Sequence, residues 1–245
     1  MNRILFEKEE IGAGGTVRLE PGDFRAVHIR EVLHAEPGCP VKTGVVDGLA
    51  GASVLAADGP DGMVLETRHD ACAPLPWIDV VLAIPRPRAL KRIMPQLASM
   101  GARRIILAGA EKTEKAYWGA HILGASEMRK LLVEGLMQAG TTALPEVREE
   151  RNLKSYAGRG AMERDFAAQP SRFTAHPGEK SGALRVERGT VPVVAIGPEG
   201  GWTEGEREML ERSGFAALSL GPRTLRTETA AVALVAVVQR AVEAR

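Results

Sequence analysis

Two glycine- and proline-rich segments near the C-terminus concentrate the residue types that could do chemistry. The first reads Ile196-Gly197-Pro198-Glu199-Gly200-Gly201-Trp202. The second reads Leu220-Gly221-Pro222-Arg223-Thr224-Leu225-Arg226-Thr227-Glu228-Thr229-Ala230. Glycine lets a ligand approach the backbone closely, and proline stiffens the loop that carries it. A guanidinium group can stabilise developing negative charge, and a carboxylate beside it can accept a proton. Each segment follows a short apolar run, residues 191–196 and 215–220, and each leads into a helical pattern. A strand-to-loop-to-helix junction exposes the main-chain groups that hold a polar small molecule. A lone segment of this kind usually makes only a turn. Here the second segment crowds two Arg, three Thr and one Glu ahead of a very apolar helix, and Thr203 with Glu206 forms a capping box directly after the first. A phosphate-binding P-loop is excluded, because neither segment ends in Gly-Lys-Ser/Thr, and the GxGxxG dinucleotide fingerprint is absent. The run Ile11-Gly12-Ala13-Gly14-Gly15 follows Glu9-Glu10 rather than an apolar strand and reads as a turn.

The elements that must position these loops show two patterns. Residues 1 to about 70 hold short β-like runs at 16–19, 42–46 and 63–67, with one helical stretch at 24–34, and their turns are rich in Gly, Pro and Asp. This predicts a small β-barrel domain over residues 1–72, with the linker at Ala73-Pro74-Leu75-Pro76. From residue 76 to 245 strands alternate with helices. Strands are expected at 78–84, 104–108, 172–175, 193–196 and 216–220, and helices at 87–100 and 126–139, with Pro95 expected to kink the first helix or mark an early turn. Such alternation predicts a parallel α/β sheet with helices on both faces. Ligands in such sheets bind at the C-terminal ends of strands, where both glycine segments sit.

Composition narrows the class. Apolar content of 44% and charged content of 26% fit a soluble globular protein. The longest apolar run, 230–238, is far short of the ~20 residues that span a membrane. The charged N-terminal decapeptide does not have the form of a signal peptide. Cys39 and Cys72 form no CxxC and have no His pair nearby, so no metal is expected and a cytoplasmic setting is. The net charge of +1 hides an asymmetry: residues 1–70 carry a balance of −5 and the remainder +6. Any nucleic-acid contact is therefore expected on the larger, C-terminal part.

The GPEGG spelling at 197–201 and the LGPRTLRTETA spelling at 220–230 closely resemble the signature of SPOUT-class RNA methyltransferases. Within that class they resemble the RsmE-type branch, which methylates N3 of a uridine in small-subunit ribosomal RNA. Weaker matches are His28-Ile29 with Val32-Leu33, Gln138 and Gly140 before Pro145, and His176-Pro177. The resemblance implies an α/β domain with a deep trefoil knot, a small PUA-like β-barrel domain that helps hold RNA, a homodimer built through the knotted domains, and S-adenosyl-L-methionine as methyl donor. The matching cofactor-binding positions are His176, Pro177, Ile196, Gly197, Pro198, Glu199, Gly200, Gly201, Leu220, Gly221, Pro222, Leu225, Arg226, Thr229 and Ala230. Arg226 is the candidate for stabilising negative charge on the uracil. Glu228 is the candidate hydrogen-bonding or proton-accepting group, or else a carboxylate that complements a helix N-terminus. Arg86, Arg88, Lys91, Arg92 and Arg223 are candidate RNA contacts, and the four from 86 to 92 cluster at the start of one helix.

The chain departs from that family where Arg is usual. His34 follows Val32-Leu33, and Thr141 and Ala143 flank the segment before Pro145. Each lost phosphate contact weakens binding and flattens its salt dependence. Two alternatives therefore stand beside the uridine N3-methyltransferase reading: the same chemistry on a different RNA nucleotide, or a cofactor-binding ribosome-assembly factor without catalysis.

Overall fold

The computed structural model describes residues 1–176 and 184–243. Packing divides the chain into two compact units. One comprises Met1–Leu75 with Leu132–Leu144, and the other Pro76–Leu131 with Pro145–Arg245.

The smaller unit is built on a five-stranded sheet. In chain order its strands are β1 (Ile4–Phe6), β2 (Thr16–Leu19), β3 (Pro40–Val45), β4 (Ala50–Gly59) and β5 (Gly62–Ala71), and their spatial order is β1-β3-β4-β5-β2. Only β1 and β3 run parallel. Period-two burial is clear in β4, where Ser53 and Leu55 point inward between exposed neighbours. Helix α1 (Phe24–Glu31) starts at Asp23, whose carboxylate accepts from the Arg25 backbone N–H at 2.8 Å. The Arg25 guanidinium also pairs with Asp23 and Glu10. Helix α1 stops three residues short of the expected His34, which adopts a left-handed φ of 49°.

Among the described residues the larger unit has six strands, all parallel: β6 (Ile78–Ala83), β7 (Ala102–Ala108), β8 (Glu146–Glu150), β9 (Arg172–Ala175), β10 (Val193–Ile196) and β11 (Phe215–Leu218). Their spatial order is β11-β9-β10-β6-β7-β8. Every residue of β6 and β10 is buried, which explains why both read as unbroken apolar runs. The helices are α2 (Pro87–Ser99), α3 (Ala125–Ala139), α4 (Leu153–Gly158), α5 (Ala161–Asp165), α6 (Glu204–Arg212) and α7 (Thr227–Glu243). The division between the two units passes through α3.

One sheet face presents Val81, Ala83, Ile106, Ala108, Val193 and Ala195 to a core made with Tyr156, Met162 and Leu210 from α4, α5 and α6 and with Phe166, which caps α5. Alternation sends Val80, Leu82, Ile105 and Val194 to the other side, where α2 packs on β7 and α7 on β10. Pro95 does not end α2, which continues to Ser99. The carbonyl that Pro95 cannot bond belongs to Lys91, an exposed position that water reaches.

The N-terminal ends of the strands are locked by a buried ionic network. Asp79, 1% exposed, accepts from Arg103 at 2.9 and 2.8 Å, from Arg104 at 2.8 Å and from the Gln169 amide at 2.8 Å. Burial alone would raise its pKa. The hydrogen bonds from Arg103 and Gln169 and the guanidinium charges outweigh it, so Asp79 titrates below the ordinary carboxylate range. The Tyr156 hydroxyl donates to Asp165 at 2.5 Å, and burial with that bond pushes the phenol well up. The opposite, C-terminal edge of the sheet is left to the loops. Among the described residues no helix is long and apolar enough to cross a membrane.

Candidate active site

Strands β6, β9, β10 and β11 all end at this edge. The first glycine segment leaves β10 and the second leaves β11. The His176 backbone N–H, just past β9, donates to Leu218 O at 3.1 Å, so the ends of β9 and β11 stay side by side.

The first loop is braced from beneath. Trp202 is 7% exposed, and its indole N–H donates to Thr174 Oγ1 at 3.0 Å, which in turn donates to Ala195 O at 3.1 Å. The indole lies against Gly197. A Cβ on that glycine would stand 3.3–3.4 Å from the Trp202 ring and backbone nitrogen, so a side chain there would press on the brace. Lys112 Nζ donates to Gly200 O at 2.7 Å from outside. The loop then enters α6 through the capping box read from the sequence. Glu206 is fully buried and does more than cap. One carboxylate oxygen accepts from Thr203 N at 2.9 Å, and the other accepts from Glu111 N at 2.7 Å in the loop after β7. Hydrogen bonds from Lys154 and Thr203 hold the exposed Glu111 carboxyl below its ordinary range.

The second loop turns at Gly221, whose φ of 105° a residue with a Cβ rarely adopts. Its N–H donates to Ser219 Oγ at 3.2 Å. The loop ends where Arg226 O accepts from Ala230 N at 2.8 Å and opens α7.

Together the loops enclose a cavity of about 330 Å³. It is lined by His176, by Ile196, Gly197, Pro198, Glu199, Gly200 and Gly201, and by Leu220, Gly221, Leu225 and Ala230, all expected from the sequence. Ala175, Trp202, Arg223, Thr224 and Thr227 also line it. Trp202 was legible only as the residue that closes the first segment, and Thr224 and Thr227 only as two of the three Thr crowded into the second; Ala175 carried no signal of its own. Pro222 and Thr229 are exposed and line no part of it. Pro177 lies outside the described residues.

Arg226 and Glu228 face a second cavity of about 590 Å³, with Arg86, Arg88 and Arg92. The two cavities share Glu199, Thr224, Leu225 and Thr227, so they adjoin. Glu199 Oε1 accepts from the Arg86 backbone N–H at 3.0 Å and its Nε at 3.1 Å. Arg92 Nη1 stands 3.6 Å from Glu228 Oε1. Lys91 is exposed on α2 but does not line this cavity, and Arg223 belongs to the first cavity. His34, Thr141 and Ala143 belong to the smaller unit.

A glycine-rich cavity at the C-terminal edge of a parallel sheet, beside a pocket rich in guanidinium groups, suits a small polar cofactor next to a polyanion. The comparisons agree on the class: the family model of the RNA methyltransferase domain matches residues 72–239. More specifically, the chain belongs to the ribosomal RNA small subunit methyltransferase E family. It is 34% identical over 247 residues to the member of that name from Treponema pallidum, covering 97% of this chain and 90% of the relative. It is 32% identical over 154 residues to ribosomal RNA small subunit methyltransferase E 1 of Borreliella burgdorferi, covering 63% of each. In fold it is similar to a crystal structure of ribosomal RNA small subunit methyltransferase E from Neisseria gonorrhoeae bound to S-adenosyl methionine. That match has a TM-score of 0.71 at 22% identity and covers 98% of this chain and 97% of the other.

Proposed function

We propose that this protein transfers the methyl group of S-adenosyl-L-methionine to N3 of a uridine in small-subunit ribosomal RNA. The observation that carries the reading is the cavity of about 330 Å³ walled by both glycine segments at one strand edge. Its volume lies at the lower end of the range for small-molecule sites. The lining suits the donor: adenine is neutral and can be read by main-chain N–H and C=O groups, which loops 197–201 and 220–225 supply. When bound, the donor supplies an electrophilic methyl on a sulfonium sulfur, which becomes a neutral thioether as the methyl passes to a nitrogen lone pair.

The chain's own residues then have two tasks. They align the target nitrogen, and they help its proton leave, since a neutral imide is a poor nucleophile. Arg226 stabilises the charge that develops on the uracil, and Glu228 accepts the proton. Arg86, Arg88, Lys91, Arg92 and Arg223 contact RNA. By the same family likeness a domain of residues 76–245 carries a trefoil knot, and two such domains pair in a cytoplasmic homodimer. Residues 1–72 act as a PUA-like accessory domain for RNA.

Titration calorimetry with S-adenosyl-L-methionine tests the shared premise. Saturable binding with one site per chain is expected. No heat of binding at millimolar donor would overturn the reading.

A further inference from the structure

The second cavity contains more order than a generic basic patch. Four guanidinium groups and two carboxylates line it. Each carboxylate holds one guanidinium: Glu199 takes Arg86 and Glu228 takes Arg92. Among the described residues Arg88 and Arg226 have no ion-pair partner. The excess of cations favours a polyanion, and the two unpaired cations are available to phosphate and base oxygens. Glu228 is different. Its side chain is 21% exposed, the Arg92 guanidinium stands 3.6 Å from it, and it opens onto the same cavity as Arg226, two residues before it. The cavity therefore offers an acceptor, Glu228, together with the guanidinium donors of Arg92 and Arg226.

That pattern is complementary to one edge of one base. Uracil presents an acceptor, a donor and an acceptor at O2, N3–H and O4. Cytosine presents a lone pair at N3 and a donor at N4, so a carboxylate there would face a lone pair and leave a guanidinium opposite an N–H. We propose that the second cavity receives the target nucleotide, and that Glu228, held in place by Arg92, reads the imide N3–H and so selects uracil against cytosine. The inference rests on the uridine N3 reading above. Arg92 acts as a positioning residue through Glu228.

The same contact starts the chemistry. The N3–H bond breaks, the proton goes to a Glu228 oxygen, and the electron pair stays on N3. The departing proton and the incoming methyl use the same in-plane direction at N3. The proton therefore leaves first, and the imidate is negative in between, next to Arg226.

The test uses the full-length protein and small ribosomal subunits from a strain lacking the gene. Wild-type protein with labelled S-adenosyl-L-methionine first marks the modified nucleotide. Subunits reconstituted with uridine or cytidine at that position then compete for binding in the presence of the demethylated donor. Wild type is expected to prefer uridine by about 10- to 100-fold, the discrimination of one well-formed polar base contact. In Glu228→Gln the amide can turn to donate to cytosine N3, and the preference should shrink to within about threefold. Arg92→Ala should weaken the preference and Arg92→Lys should restore part of it, with affinity for S-adenosyl-L-methionine unchanged in all three. A uridine preference that survives in Glu228→Gln overturns the proposal while leaving the methyltransferase reading intact. If Glu228→Gln does not fold, an unchanged preference in Arg92→Ala overturns it instead. If wild type marks no uridine, both readings fall.

Discussion

Glu206→Gln is a nearly isosteric change whose effect can be worked from the structure. The carboxylate is fully buried and bridges two main-chain donors, Glu111 N at 2.7 Å and Thr203 N at 2.9 Å, through different oxygens. A glutamine keeps one oxygen and replaces the other with an NH2 donor. Whichever way the amide turns, one backbone N–H then faces a donor. Losing a hydrogen bond to a charged group costs roughly 1.5–3 kcal/mol and stranding a buried N–H costs roughly 1–3 kcal/mol, so about 3 kcal/mol is expected in total. For a protein of this size that corresponds to a fall of about 6–12 °C in Tm. Trp77, Trp118 and Trp202 all lie in the larger unit, so urea unfolding followed by tryptophan fluorescence reads that unit alone. Affinity for S-adenosyl-L-methionine should fall as well, because Thr203 caps α6 directly after the loop that walls the first cavity. A stability change under about 1 kcal/mol, or a much weaker cofactor complex in a variant of undiminished stability, would refute the reasoning.

Other perturbations separate the parts of the account. Arg226→Ala should cut the single-turnover rate at least tenfold and leave the affinity for S-adenosyl-L-methionine within about threefold, because Arg226 lines the second cavity and not the first; rapid-quench and calorimetric measurements check the two halves. Gly197→Ala should weaken donor binding about tenfold by pressing Cβ on Trp202, a loss of about 1.4 kcal/mol. Gly200→Ala should do less, because its Cβ meets only the flexible Lys112 stem. Asp79 has a lowered folded-state pKa, so its stabilisation is present above the unfolded value of about 3.9 and is lost as pH falls through the folded value. Asp79→Asn should cost about 3 kcal/mol at neutral pH and flatten the loss of stability in acid, read by unfolding curves from pH 7 downward.

The parts of the fold that were legible in the sequence are those whose burial is uniform. Strands β6 and β10 are enclosed on both faces, so their apolar runs gave bounds within one residue of those observed. Strand β8 had no such signature. It reads Glu-Val-Arg-Glu-Glu because it is the edge of the sheet, where charge protects against unwanted pairing. Helices α4 and α5 are too short for a periodic pattern to emerge, although Tyr156, Met162 and Phe166 make them central to the core. The site divides in the same way. Glycine, proline and arginine announced the loops, because their backbone freedom and charge are local properties. The brace of Trp202 on Thr174 and the tie from Glu206 to Glu111 join residues 28 and 95 positions apart, and nothing in local spelling joins them. The assignment of Arg226 to the second cavity likewise depends on α2 packing beside α7 and bringing Arg92 to Glu228.

Methyl transfer to uridine N3 in the small subunit is tested by mass mapping of nucleosides in small-subunit ribosomal RNA from a strain lacking the gene, with and without the gene restored. One N3-methyluridine is expected to disappear on deletion, to return with the wild-type gene and not to return with Arg226→Ala. An N3-methyluridine content unchanged by deletion would contradict it.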